Sequence, residues 1–182
     1  MTFAQPPKDP LQRALLRAPI WIYRLGLGDL LGERLVLLTH RGRTTGEARQ
    51  AVLEVVGRND NTGAVLVASG FGNRSHWFRN ILEEPRVLFQ IGGRRRRGTA
   101  EPLPPEESGQ VLAHYAQRHP RAASALMRGL GHDVGGGVRD YERIGSDPVN
   151  GVPVVRLVPD APEAGLPGFS APRGADVPRP RN

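Results

Sequence analysis

Arg34-Leu-Val-Leu-Leu-Thr-His-Arg-Gly-Arg-Thr-Thr-Gly-Glu-Ala-Arg-Gln50 runs directly into Ala51-Val-Leu-Glu-Val-Val56, and this stretch decides the fold. An apolar run of three leucines and one valine enters a polar turn that contains two glycines. A second apolar run leaves that turn. This arrangement predicts a β-hairpin whose turn carries an unusual density of arginine.

The turn has the chemistry of an anion-binding loop. Three guanidinium groups fall within nine residues, beside several hydroxyl groups, and the residues concerned are Arg41, Arg43 and Arg49 with Thr39, Thr44 and Thr45. Gly42 and Gly46 let the backbone adopt positive φ and approach a ligand closely. Guanidinium forks, hydroxyls and backbone N–H groups can then converge on one phosphate or carboxylate. The alternative is an ordinary solvated turn.

Composition narrows the function classes. The 182 residues suit one domain, and the absence of cysteine excludes disulfides and thiolate chemistry. The net charge of +7 predicts an anionic partner, and Lys8 is the only lysine among the 25 basic residues. The N-terminus has no apolar signal region, so we expect a cytoplasmic protein, or one peripheral to a membrane through an N-terminal helix.

The order of elements predicts an α+β fold with about six strands in a mostly antiparallel, barrel-like sheet with flanking helices. Residues 1–10 form a flexible lead, 11–158 a single domain, and 159–182 a disordered tail rich in proline and glycine. Helices are expected over 11–25, 76–83, 105–118 and 121–130, and 131–137 is expected to be a mobile loop. In the helix at 76–83, Ser75 is the predicted N-cap, and Trp77 with Ile81 and Phe78 with Leu82 form its buried side.

Four consecutive arginines, Arg94 to Arg97, follow a two-glycine turn that predicts a second hairpin. They could bind nucleic acid, but no aromatic residues interleave them as a stacking platform. A basic edge strand that resists aggregation is the favoured interpretation.

Autonomous catalytic and metal signatures are absent. His114 and His119 lie five residues apart and do not share a helical face, so no metal site is predicted. The isolated histidines His40, His76 and His132 are expected to be solvated or satisfied in the core. If the chain is an enzyme, a bound cofactor supplies the reactivity.

Three runs occur in a distinctive order: Leu37-Leu-Thr-His-Arg-Gly-Arg-Thr-Thr-Gly46 with Arg49, then Val67-Ala-Ser-Gly-Phe-Gly-Asn73, then Trp77-Phe-Arg-Asn80-Ile followed by Pro85. From about Ile20 to Val158 the chain resembles the deazaflavin-dependent nitroreductase family. That resemblance implies a split β-barrel of the FMN-binding type and the cofactor F420.

The resemblance also implies site residues. Arg41, Arg43, Thr44, Thr45 and Arg49, with Gly42 and Gly46 of the motif, would bind the cofactor's phosphate and oligoglutamate tail. Ala68, Ser69 and Gly70 would lie along the deazaflavin ring, and Trp77 and Asn80 would complete the pocket.

The chain departs from the family pattern in three places. Thr44 stands where lysine is common, His76 replaces an acidic residue, and residues 121–125 lack the tyrosines of some relatives. The catalytic residue therefore stays open, with Ser69, Tyr115 and Tyr141 as candidates.

By this resemblance we expect an F420H2-dependent oxidoreductase that transfers a hydride to a quinone, enone or nitroaromatic, with a homodimer as a further expectation. One alternative is an FMN-dependent enzyme on the same barrel. The other is a non-enzymatic basic module that binds nucleic acid or an anionic membrane through Arg94 to Arg97 and the N-terminal helix.

Overall fold

The computed structural model describes residues 32–135 and 137–161. Six strands are present, β1 (Leu35–Arg41), β2 (Ala48–Asn59), β3 (Ala64–Ala68), β4 (Arg86–Ile91), β5 (Arg94–Pro102) and β6 (Val154–Pro159). Four α-helices accompany them, α1 (His76–Glu83), α2 (Pro105–Arg118), α3 (Pro120–Gly129) and α4 (Val138–Ser146). The predicted lead over 1–10 and the helices predicted over 11–25 lie outside the described residues, as do residues 162–182 of the tail predicted over 159–182. The first residues of that tail are ordered, since Pro159 ends β6 and Asp160 pairs with Arg86 at 2.9 Å.

The strands form a closed antiparallel barrel in the order β1-β2-β3-β6-β5-β4, which confirms the predicted sheet. The first hairpin has the register Leu35↔Glu54 to Arg41↔Ala48, and the second pairs Arg86↔Thr99 to Ile91↔Arg94. Closure comes from β1 pairing with β4 and from β6 lying between β3 and β5. The turns of the two hairpins therefore lie at opposite ends of the barrel.

Helix α1 closes the barrel end that carries the β1/β2 turn. Its Trp77, Phe78 and Ile81 belong to the same apolar core as the inward residues of the strands, such as Leu38 and Phe89. Two details differ from the sequence prediction. Ser75 occupies the N-cap position, but its side chain makes no capping hydrogen bond. Leu82 is 56% exposed, because its face of this short helix turns away from the barrel.

A second apolar core lies between the outer face of the barrel and helices α2, α3 and α4. It joins Val56, Ala68 and Val154 of the strands to Leu112, Met127 and Ile144 of the helices. Helix α4 was not predicted. It packs closely on α2 because two glycines meet, and a methyl group on Gly145 would lie 2.7 Å from the Gly109 Cα.

Strand β5 is not the edge strand that the sequence suggested, because it pairs with β4 on one side and β6 on the other. Its pairing with β6 begins at Gly98, so the four arginines extend past the end of β6. Over the residues described, no helix has the length and apolar character needed to span a membrane.

Candidate functional site

The β1/β2 turn is a tight, internally bonded loop. The Gly42 amide donates to the Glu47 carbonyl at 2.8 Å, and the Gly46 amide donates to the Gly42 carbonyl at 2.7 Å. Gly46 has φ +68°, which confirms the need for glycine there, whereas the positive φ expected for Gly42 is not found. The predicted ligand-binding side chains Arg41, Arg43, Thr44, Thr45 and Arg49 are all exposed. The turn therefore presents cationic and hydroxyl groups from a fixed backbone.

One arginine of this turn is anchored to α1. The backbone N–H and the Nη1 of Arg43 both donate to Oδ1 of Asn80, at 3.2 and 3.0 Å. Asn80 is 5% exposed and lies four residues after the first residue of α1. The helix thus fixes both the backbone and the guanidinium of Arg43.

Behind Asn80 lies a buried histidine. The Nδ2 of Asn80 is 3.1 Å from the Nδ1 of His40, which is 5% exposed. Asn80 Oδ1 accepts twice from Arg43, so Asn80 Nδ2 is the atom that faces the His40 ring. Because Nδ2 donates to His40 Nδ1, the proton of neutral His40 is assigned to Nε2. Burial lowers the pKa of His40 below its usual 6.5, which favours this neutral state. His40 was expected to be solvated or satisfied in the core, and the second of these is correct.

Charge at the turn is mostly uncompensated. Nη2 of Arg49 contacts Oε2 of Glu47 at 2.8 Å, with both side chains more than half exposed. Within the described ranges, Arg41 has no ion pair. Helix α1 meets the turn through Asn80 and brings no acidic residue in its first turn. Three guanidinium groups and one carboxylate leave the turn net positive.

The other predicted cofactor contacts are engaged inside the protein. Ala68 is part of the second core, and Ser69 is fully buried with its Oγ donating to the Gly72 carbonyl at 3.3 Å. Gly70 packs so closely on Leu130 that a methyl group there would collide with the leucine side chain. Trp77 is buried in the barrel core, in an edge-to-face contact with Phe78.

The tyrosine candidates lie among the helices. The hydroxyl of Tyr115 donates to Oε1 of Glu54 at 2.5 Å, and Arg34 pairs with the same carboxylate at 3.3 Å. Burial, followed by the contact with Glu54, raises the pKa of Tyr115. Tyr141 is buried in the second core. In the described part of the chain, no hydrogen bond or ion pair links either tyrosine to the β1/β2 turn.

Two cavities lie away from the turn. The larger, about 1250 Å³, is bounded by the C-terminal half of β2 and by α2, with Tyr115, His119 and Arg58 in its wall. The smaller, about 250 Å³, opens at the far end of the barrel. Neither contains a residue of the β1/β2 turn. An extended anion bound by exposed arginines needs no enclosed cavity, so the turn remains the better candidate site. No cluster of His, Asp and Glu suited to a metal ion occurs among the described residues.

The network from His40 to Asn80 was missed by the sequence analysis. A signal existed, because His40 follows Val36 and Leu38 at intervals of two in β1 and so falls on the inward face. Its partner could not be identified in this way, since Asn80 is 40 residues away in the chain.

The described residues define a closed six-stranded antiparallel barrel with a helix across one end and an exposed, arginine-rich turn. Residues 16–128, more than half of the chain, match the model of the F420H(2)-dependent quinone reductase family. The chain belongs to this family, which confirms the resemblance to F420-dependent reductases.

One relative is Rv3178 of Mycobacterium tuberculosis, whose name gives it provisionally as an F420H(2)-dependent quinone reductase. It is 34% identical over 73 residues, which cover 40% of this chain and 61% of that protein. The match thus spans less than two thirds of the relative's length.

Two solved structures are similar to this chain. An F420-H2 dependent reductase, FDR-A, is 22% identical, with 69% of this chain and 95% of that chain covered and a TM-score of 0.45. The protein Rv2991 of Mycobacterium tuberculosis is 17% identical, with 81% and 93% covered and a TM-score of 0.46.

Proposed function

We propose that this protein is an F420H2-dependent oxidoreductase whose cofactor tail binds at the β1/β2 turn. The observation that carries the proposal is the pair of hydrogen bonds from Arg43 to Asn80, which fixes an otherwise exposed guanidinium at the arginine-rich β1/β2 turn. Membership of the F420H(2)-dependent quinone reductase family supports the choice of cofactor.

The residues at the turn fit the cofactor's anionic tail. A phosphate followed by several carboxylates needs a row of donors, and Arg41, Arg43 and Arg49 with the hydroxyls of Thr44 and Thr45 provide them on one loop. Each charge-assisted hydrogen bond contributes about 1.5–3 kcal/mol. Two or three such bonds contribute about 3–9 kcal/mol before the cost of association, so micromolar binding, which needs about 8 kcal/mol net, also requires contacts along the rest of the cofactor. FMN, with one phosphate and no oligoglutamate, would leave part of this row unused.

When bound, the reduced cofactor supplies a hydride to an electron-poor acceptor such as a quinone, enone or nitroaromatic. The role of the protein is to bind the cofactor and to orient it. Arg43 has lost much of its side-chain freedom to Asn80, so less entropy is lost when it meets an anion. Ser69 and Gly70 directly follow β3, and we propose that the ring system lies along this segment.

We propose that the proton for the acceptor comes from solvent. Tyr115 already donates its proton to Glu54, and its raised pKa keeps that proton in place. Tyr141 is 3% exposed and Ser69 is fully buried. These surroundings favour solvent over each of the three candidate side chains. A quinone is the preferred acceptor because the family is named for that activity.

The test is a titration of cofactor-free protein with F420 and, separately, with FMN, followed by tryptophan fluorescence. We expect F420 to bind at micromolar concentration or tighter, and Arg43→Ala to weaken binding about tenfold or more. Arg95→Ala at the other end of the barrel is the matched control, and it should change the affinity less than twofold.

Three outcomes would contradict the proposal. No F420 binding at micromolar concentration would exclude the cofactor, and a clear preference for FMN would favour the FMN-dependent enzyme. The basic module would be favoured if the protein bound neither cofactor but bound nucleic acid or anionic vesicles in a salt-sensitive way. That binding should be lost when Arg94 to Arg97 are neutralised.

A further inference from the structure

The barrel end opposite α1 carries a small cavity that the proposed function does not use. We call this end the barrel mouth and define it by the β2/β3 turn (residues 59–64) and the β4/β5 turn (residues 91–94). The cavity there has a volume of about 250 Å³. Mouths of β-barrels are preferred places for small-molecule sites.

Two of the four consecutive arginines face into this mouth. In the β4/β5 hairpin Arg96 is directly opposite Phe89, and Arg94 is opposite Ile91. Directly paired residues lie on the same face of a sheet, and Phe89 belongs to the barrel core. Arg94 and Arg96 therefore lie on the inner face and line the cavity. Arg95 and Arg97 lie on the outer face.

The β2/β3 turn makes room for one of these guanidinium groups. A methyl group on Gly63 would lie only 2.7 Å from Nη1 of Arg96. Gly63 has φ +68°, so the turn itself also favours glycine. The Arg96 fork consequently lies directly over the turn at the rim of the cavity.

The lining of the mouth has more basic than acidic residues, three arginines against two carboxylates. Arg58 also lines the cavity, but it is paired with Glu33 at 2.7 Å. Arg94 and Arg96 have no side-chain hydrogen bond or ion pair with any other described residue. Asp60 is the remaining carboxylate in the lining. The guanidinium groups of Arg94 and Arg96 thus lie beside an apolar lining formed by Val65, Phe89 and Ile91.

Size and chemistry together indicate the ligand class. At about 30 Å³ per water, the cavity holds roughly eight waters, and it lies just below the usual range of about 300–1,000 Å³ for ligand pockets. It is too small for F420. Arginine forks bind carboxylates bidentately, and the walls suit a compact apolar body. We propose that the barrel mouth binds a small organic carboxylate through Arg94 and Arg96. This site is separate from the proposed cofactor site, and its existence does not depend on the proposed function.

The test uses benzoate as the probe and the neutral amide benzamide as its control. Binding is followed by chemical-shift changes in 15N-labelled full-length protein. We expect saturable binding of benzoate, with the largest shifts at Gly63 and at residues 89–96, and at least tenfold weaker binding of benzamide. Replacing Arg94 and Arg96 together by Ala should weaken benzoate binding at least tenfold.

The matched control replaces Arg95 and Arg97 by Ala, which removes the same charge from the outer face of the same strand. It should change the affinity for benzoate less than threefold. An equal loss in both double variants would show that only general charge acts, and it would overturn the proposal, as would the absence of saturable shifts at the mouth. Should the first variant unfold, the same pair changed to Lys keeps the charge and removes the fork. Undiminished binding in that variant would also refute a bidentate site.

Discussion

Both ends of the barrel carry several arginines, yet the two ends are built differently. At the end closed by α1, Arg43 is held by Asn80, which is in turn held against the buried His40. At the barrel mouth, Arg94 and Arg96 extend past the end of β6 with no described side-chain partner. The number of arginines is therefore a poor guide to a site, and the anchoring of each side chain is more informative.

The difference concerns the cost of binding. An anchored guanidinium loses little side-chain entropy when it meets an anion, whereas a free one loses about 0.5–1.5 kcal/mol. We therefore expect the α1 end to bind its ligand tightly and the mouth to bind weakly. Substitutions at the two ends test this contrast.

Removing the packing of α1 should have the largest effect. Ile81 is 1% exposed in the barrel core, and Ile81→Ala should lower the free energy of unfolding by about 2–5 kcal/mol, because it leaves a cavity under the helix. Leu82→Ala is the matched control on the 56% exposed face and should cost less than about 0.5 kcal/mol. Urea denaturation measures both. Similar losses would show that α1 does not close the barrel.

Breaking the anchor itself should have the next largest effect. Asn80→Ala leaves the Arg43 amide and His40 Nδ1 without their partner, and it should lower the free energy of unfolding by about 1–3 kcal/mol. It should also weaken F420 binding, because Arg43 is no longer fixed. Asn61→Ala in the β2/β3 turn is the control, since Asn61 is exposed and its described contact is through the backbone. A variant that binds F420 normally would contradict the anchoring role.

Low pH should lower the free energy of unfolding through the protonation of His40, which lies at the barrel end closed by α1. Burial lowers the pKa of folded His40, so below pH 6.5 the unfolded chain binds this proton more readily than the folded protein. The associated stability is complete above pH 6.5 and is lost as the pH falls towards the folded pKa. Urea denaturation of the wild type and of His40→Gln from pH 8 to 5 gives the free energy of unfolding as a function of pH. The slopes of the two curves should differ by at most about 1.4 kcal/mol per pH unit. Parallel curves would exclude this linkage.

The smallest expected effect concerns Glu47, whose carboxylate competes with a bound anion for Arg49. Glu47→Gln removes an exposed ion pair, so it should change the free energy of unfolding by less than about 0.5 kcal/mol. It should raise F420 affinity by about twofold at low salt, and the gain should vanish at high salt. Glu33→Gln at the mouth should leave F420 affinity unchanged. A gain from both substitutions would indicate a general charge effect.

The sequence predicted most elements because local signals determine them. Two-glycine turns with flanking apolar runs predicted both hairpins, and proline with acidic residues predicted the start of α2. Helix α4 was missed because its stretch from Val138 has few apolar residues and follows three glycines. Its packing depends on the meeting of Gly145 with Gly109, which no local pattern reveals.

Long-range features were less predictable. The pairing of β1 with β4 and of β6 with β3 closes the barrel, so β5 was wrongly expected to be an edge. The chemistry of the arginine turn was evident from composition and spacing, whereas its anchor to Asn80 requires the tertiary fold. The site residues, a homodimer and a membrane contact stay predictions.

The position of β6 in the barrel has a consequence for synthesis. The last strand in the chain lies between the third and the fifth, so the barrel cannot close until residue 159 is available. Until then β3 and β5 each have one side without a partner, and such edges favour association between nascent chains. Non-local pairing of this kind also slows folding. We therefore expect ribosome-bound fragments that end before Val154 to depend on chaperones, whereas chains that include β6 do not.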